Sequence, residues 1–128
     1  MEIINIVTLS ISGLLLLTVG TLRISNPIKN YSKNSGIKLE NEVNLLNEVR
    51  GVSSVMLFGG IIILLGTIIP ELTITSFVVA ILILIGFAIG RLLSIGLDGK
   101  PNKLIAKGLI SELILGAVNI FCLFTTFV

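Results

Sequence analysis

The chain has 128 residues, of which 54% are hydrophobic and 12% charged, with a mean hydropathy of +1.10; a soluble domain carries about 25% charged residues. A chain this short cannot bury so much apolar surface within itself, so lipid is its expected solvent. The net charge of +2 is too small to point to nucleic acid. The absence of histidine, with Cys122 as the one cysteine, excludes an intramolecular disulfide, a CxxC redox pair, His-ligated haem, most zinc sites and the usual Ser–His or Cys–His nucleophiles, so no cofactor or metal is expected.

Four apolar stretches are each long enough to cross the hydrocarbon core, which takes about 20 helical residues. The first runs from about Ile3 to Leu22. It lacks a basic leading region and a small-residue cleavage site, so it reads as a retained helix rather than a secretory signal. Asn26-Pro27 stops it, because proline cannot donate a backbone hydrogen bond and restricts the residue before it.

The segment from about Ile24 to Arg50 is the one long connection. In its second half Leu39, Val43 and Leu46 recur at helical spacing, with Glu40, Asn41, Asn44, Asn47 and Glu48 around the other sides. This predicts a short amphipathic helix that lies on the membrane or extends the second span. The second span runs from about Gly51 to Ile69. Pro70-Glu71 then allows only a short link, which makes the second and third spans antiparallel neighbours. The third span runs from about Thr75 to Ile95, Asp98-Gly99-Lys100-Pro101 reads as a turn, and the fourth runs from about Leu104 to Phe127. The reading is one all-α domain over residues 1–128, a four-transmembrane-helix bundle with up-down connectivity.

Orientation follows from the nine basic side chains. Arg23, Lys29, Lys33, Lys38 and Arg50 lie in the first connection, and Arg91, Lys100, Lys103 and Lys107 flank the third. The middle connection carries only Glu71. Basic flanks stay on the cytoplasmic side, which places connections one and three inside and both termini outside, in a multi-pass protein of the cell (inner) membrane. The lysine strip at 100–107 is explained by attraction to anionic headgroups.

Three ionisable residues fall in or near predicted spans at one depth. Arg50 opens the second, Arg91 lies about one turn before the end of the third, and Glu112 lies about two turns into the fourth. A charge at a helix centre costs about 2.5–3.5 kcal/mol on insertion scales, and a carboxylate has too short a stem to reach out of the membrane. Glu112 is therefore expected to pair with Arg50 or Arg91. Either arginine could also snorkel to the headgroups as a topology anchor. Gly108, Glu112, Gly116 and Asn119 recur at spacings of four, four and three, which puts them on one face of the fourth helix and predicts a polar groove opening to the cytoplasm. Gly86 and Gly90 form a GxxxG pattern on the third helix. These two, with Gly108 and Gly116, are expected to pack helix against helix. Asp98-Gly99 lacks a second carboxylate and reads as a turn rather than a metal site.

Gly90-Arg91-Leu92-Leu93-Ser94, then Asp98-Gly99-Lys100-Pro101, then Glu112, together with Glu48-Val49-Arg50-Gly51, resemble a bacterial membrane family described as a domain of unknown function, number 4345. The resemblance covers nearly the whole chain. It implies a compact four-helix membrane protein and no reaction, and it groups Glu48, Arg50, Arg91, Asp98 and Glu112 as a polar signature. A looser similarity in size and helix count is to DoxX-like proteins, but the cysteine pair of their thiol-redox members is absent.

Three kinds of function fit. The first is an accessory or scaffold protein that binds a membrane-protein partner, a second copy of itself or a lipid through the polar cluster. The second is an oligomeric carrier of a small solute, ion or proton that uses Glu112. The third, an intramembrane enzyme acting on a lipid, fits least, because no nucleophile or metal set completes such a site.

Overall fold

The computed structural model describes residues 2–127. They form five α-helices: α1 (Ile3–Ser25), α2 (Pro27–Ser35), α3 (Val43–Leu65), α4 (Thr73–Asp98) and α5 (Lys103–Phe127), with a single 3-10 turn at Pro70–Leu72 before α4. The helices α1, α3 and α5 are long and apolar enough to cross a membrane, as is α4 together with the 3-10 turn before it; the protein is a multi-pass membrane protein. The architecture is all-α, with the four long helices packed antiparallel in chain order. The most extensive interface joins α1 to α3, followed by α4 with α5 and α3 with α4; α1 meets α5 more sparsely.

The first connection differs from the sequence expectation. Asn26-Pro27 ends α1 but also starts α2. The Asn26 side chain accepts a hydrogen bond from the Lys29 amide at 3.3 Å, and Pro27 occupies the first helical position, where its missing N–H costs nothing. The helix ends at Gly36, whose φ of 70° is the left-handed conformation that favours glycine at this position. The amphipathic stretch is an extension of α3 rather than a separate helix. It begins at Val43, so Leu39 lies outside it.

The start at Val43 has a chemical cause. The Glu42 carboxylate accepts hydrogen bonds from the amides of Asn44 (3.0 Å) and Leu45 (2.8 Å), two donors the first turn would otherwise leave unpaired. The other end of α3 comes at Leu65, earlier than the expected Ile69. Thr73 Oγ1 donates to the Gly66 carbonyl at 2.9 Å and Ser76 Oγ to the Ile62 carbonyl at 2.8 Å, so hydroxyls of the first turn of α4 tie it to the C-terminal end of α3. At the opposite end of the bundle Asn102 caps α5 by accepting from the Ile105 amide at 2.9 Å, and its own amide donates to the Ser35 carbonyl at 2.8 Å. It thereby ties the end of α2 to the start of α5.

Glycines set the closest helix contact. A Cβ on Gly60 would stand 2.7 Å from the Leu17 amide nitrogen and 2.8 Å from the Gly13 carbonyl. One on Gly20 would stand 2.7 Å from both the Ser53 carbonyl and the Leu57 amide nitrogen. These are backbone atoms, so no rotamer change relieves the clash. The GxxxG expectation is corrected here: Gly86 and Gly90 of α4, and Gly108 of α5, have no atom within 4 Å of an added Cβ. Gly116 does pack closely, against Ile85 of α4. The GxxxG spacing therefore occurs on a face of α4 that no helix of this chain covers.

Two outcomes follow. Gly60→Ala should lower the unfolding midpoint in detergent, at a cost of about 1–3 kcal/mol for overpacking, whereas Gly90→Ala should leave it within experimental error. The two amides hold the Glu42 carboxyl below the usual carboxylate range. Its folded-state value is depressed, so the cap stabilises α3 above the ordinary value of 4.5 and is lost as pH falls through the folded value. Hydrogen-exchange protection of the Asn44 and Leu45 amides should therefore drop on acidification, and Glu42→Ala should abolish that dependence.

Candidate functional site

The C-terminal half of α4 and the N-terminal half of α5 bring two charges together. Arg91 Nε donates to Glu112 Oε1 at 2.8 Å, and this is the one ion pair among the described residues. Glu112 lies nine residues into α5 from Lys103 and Arg91 seven before the end of α4, roughly 14 and 10 Å from the helix ends at 1.5 Å per residue. Glu112 is buried, at 9% exposure. Here a carboxylate is tolerable only with a cation beside it.

A third charge enters from α1. Arg23 and Arg91 line the same cavity as Glu112, a space of about 200 Å³ also bounded by Leu15, Leu16, Val19, Met56, Leu84, Gly108, Ser111 and Asn34. The Arg23 guanidinium lies over the Tyr31 ring at 4.1 Å to its centroid, and its Nη2 donates to Ser35 Oγ at 3.1 Å. Both partners belong to α2, which is why that short helix matters to the site: it holds Arg23 against the mouth of the cavity. Arg23 Nε is buried without a hydrogen-bond partner among the described residues.

The other residues expected in the cluster lie elsewhere. Arg50 does not reach Glu112; its Nε donates to the Ile24 carbonyl at 3.0 Å, so it caps the C-terminus of α1, where a cation is favoured. Glu48 is exposed on α3. Asp98 is exposed and accepts from Ser94 Oγ at 3.1 Å. Asn119 is fully buried but lies deeper, donating to Ser12 Oγ at 2.9 Å and to the Leu115 carbonyl at 2.8 Å.

Asn119 belongs to a second feature. Along the α1–α5 contact Ser12 faces Asn119, Thr8 Oγ1 accepts from Cys122 Sγ at 3.6 Å, and Asn5 Nδ2 donates to Thr126 Oγ1 at 3.4 Å. The Oδ1 atoms of Asn5 and Asn119 are buried without partners among the described residues. The α1–α5 contact is thus a polar seam, held by hydrogen bonds where α1–α3 is held by close packing.

The sequence reading overlooked Arg23 as a site residue. A signal existed: Asn5, Thr8, Ser12, Leu16, Val19 and Arg23 recur at spacings of three or four, which places Arg23 on the inward polar face of the first helix.

The chain belongs to the family described as a domain of unknown function (DUF4345), whose model matches residues 4–123. No curated protein and no solved structure matches it. The matched range takes in Arg23, Arg91 and Glu112, so the whole charged site lies within the family's domain.

Removing one partner of a buried ion pair costs about 3–5 kcal/mol. The Arg91 side chain is 34% exposed and that of Glu112 12%, so Arg91→Leu should destabilise by roughly 1–2 kcal/mol after solvent screening. Arg91→Gln combined with Glu112→Gln leaves no orphaned charge and should recover most of the loss in a detergent melting experiment.

Proposed function

We propose that this protein is a small membrane accessory protein that binds lipid through the charged site at the cytoplasmic leaflet. One observation carries the reading: a half-open cavity with an apolar floor of Leu15, Leu16, Val19, Met56 and Leu84 has Arg23, Arg91 and Glu112 as its charged lining. A lipid has this same division of chemistry, and a leaflet supplies it at high local concentration. The cytoplasmic assignment rests on the grouping of the basic side chains at the end of the bundle that holds the site. A membrane-protein partner or a second copy would need a broader surface than this cavity provides.

A second reading, an oligomeric carrier that uses Glu112, is favoured by the α1–α5 seam, which continues polar contacts from Ser12–Asn119 to Asn5–Thr126. It is weakened for cations by Arg23 and Arg91, which share the cavity with Glu112 and repel positive ions.

The two separate experimentally. Native mass measurement of the protein in mild detergent should show retained lipid, of which the Arg91→Gln/Glu112→Gln double variant holds less. Vesicles containing the protein and an enclosed pH-sensitive dye should show no proton flux above empty vesicles. Flux abolished by Glu112→Gln, without retained lipid, would replace the lipid reading with the carrier reading.

A further inference from the structure

We infer that the cavity between α1, α4 and α5 takes the head of an anionic phosphate-bearing lipid, with Arg23 and Arg91 on the phosphate and the first methylenes of the chain on the apolar floor. The inference rests on the lipid-binding reading and adds the class of lipid and its pose.

Charge decides the sign of the head. Two guanidinium groups and one carboxylate line the cavity, which leaves one net positive charge. A zwitterionic head would bring its cation next to Arg23 and Arg91, whereas an anionic head lacks that cation. The donor arrangement selects phosphate. Glu112 engages Nε of Arg91, so both terminal nitrogens of that guanidinium stay available as a fork, the geometry that binds phosphate oxygens in pairs. Ser35 and Tyr31 fix Arg23 from behind, so its ordering cost is met before a ligand arrives. Glu112 acts as a positioning residue: it turns the Arg91 fork and makes no bond to the anion.

Size limits how much of the lipid enters. The cavity holds about 200 Å³, below the roughly 300–1,000 Å³ of sites that enclose a drug-sized ligand. A small head and the start of a chain fit, and the tails stay in the bilayer. A bulky sugar head does not fit. Free phosphate would satisfy the arginines and leave the apolar floor wet, which is why the lipid form is favoured.

The test uses the full chain in mixed micelles containing equal phosphatidylcholine and phosphatidylglycerol, with retained lipid read by native mass spectrometry. Phosphatidylglycerol should be retained about tenfold over phosphatidylcholine, because both offer a phosphate to the arginines but only the choline head brings a cation against them. Arg23→Gln, which leaves the cavity without net charge, should bring the ratio to about one. The Arg91→Gln/Glu112→Gln double variant, which keeps the net charge and removes the fork, should lower it, as should Arg91→Lys. Arg50→Gln, which removes a cation outside the cavity, should leave the ratio unchanged. Equal retention of the two lipids by the unaltered protein overturns the anionic assignment while lipid binding stands. Retention of neither lipid overturns the lipid-binding reading as well. Displacement of the bound lipid by inorganic phosphate at matched ionic strength overturns the lipid as the source of the phosphate. Circular dichroism of each variant confirms that a changed ratio is not a loss of fold.

Discussion

A carboxylate held inside a bundle of apolar helices is the constraint around which one end of this protein is organised. Glu112 cannot reach water as a lysine could, since its stem is short, and it sits more than two turns into α5. The cost of that placement is offset by Arg91 at 2.8 Å, and the requirement propagates outward. α4 and α5 must keep the register that brings residues 91 and 112 level. A link of only four residues, from Gly99 with φ of 108° to Asn102, joins them. Arg23 then comes close enough to add a second positive charge, and α2 exists in the position that holds it.

The rest of the bundle divides its labour between two kinds of contact. α1 and α3 approach so closely that Gly20 and Gly60 leave no room for a methyl group, and dispersion across that seam does what the hydrophobic effect does in water. α1 and α5 use hydrogen bonds between Ser12 and Asn119 and between Asn5 and Thr126. In membrane proteins such bonds average about 0.6 kcal/mol each, so this seam is specific in register without being strong. The charged cavity draws lining residues from both helices of this second seam.

Much of the fold was legible in the sequence because membrane helices leave a coarse signal: apolar runs of fixed length, separated by Pro and Gly. The 4-4-3 recurrence of Gly108, Glu112, Gly116 and Asn119 marked an inward face, of which Glu112, Gly116 and Asn119 are buried. Other parts were illegible for identifiable reasons. α2 is short and polar, and its start signal, Asn26-Pro27, is identical to a stop signal when read from the other side. Gly86 and Gly90 have a packing spacing, but spacing does not say which way a face points. Arg50 and Arg91 look equivalent in sequence as arginines near span ends. Three-dimensional register gives Arg50 the carbonyl of Ile24 and gives Arg91 the carboxylate.

The chain order of the ion pair also bears on how the protein enters its membrane. Arg91 precedes Glu112 by 21 residues, so during synthesis the cation is in place before its counter-charge exists. An arginine can wait at that depth, because its long stem lets the guanidinium reach the headgroup layer. A glutamate cannot. With the order reversed, the carboxylate would stand alone in hydrocarbon or pick up a proton until the arginine followed. Basic first and acidic second is the arrangement in which the last helix arrives to a partner already waiting.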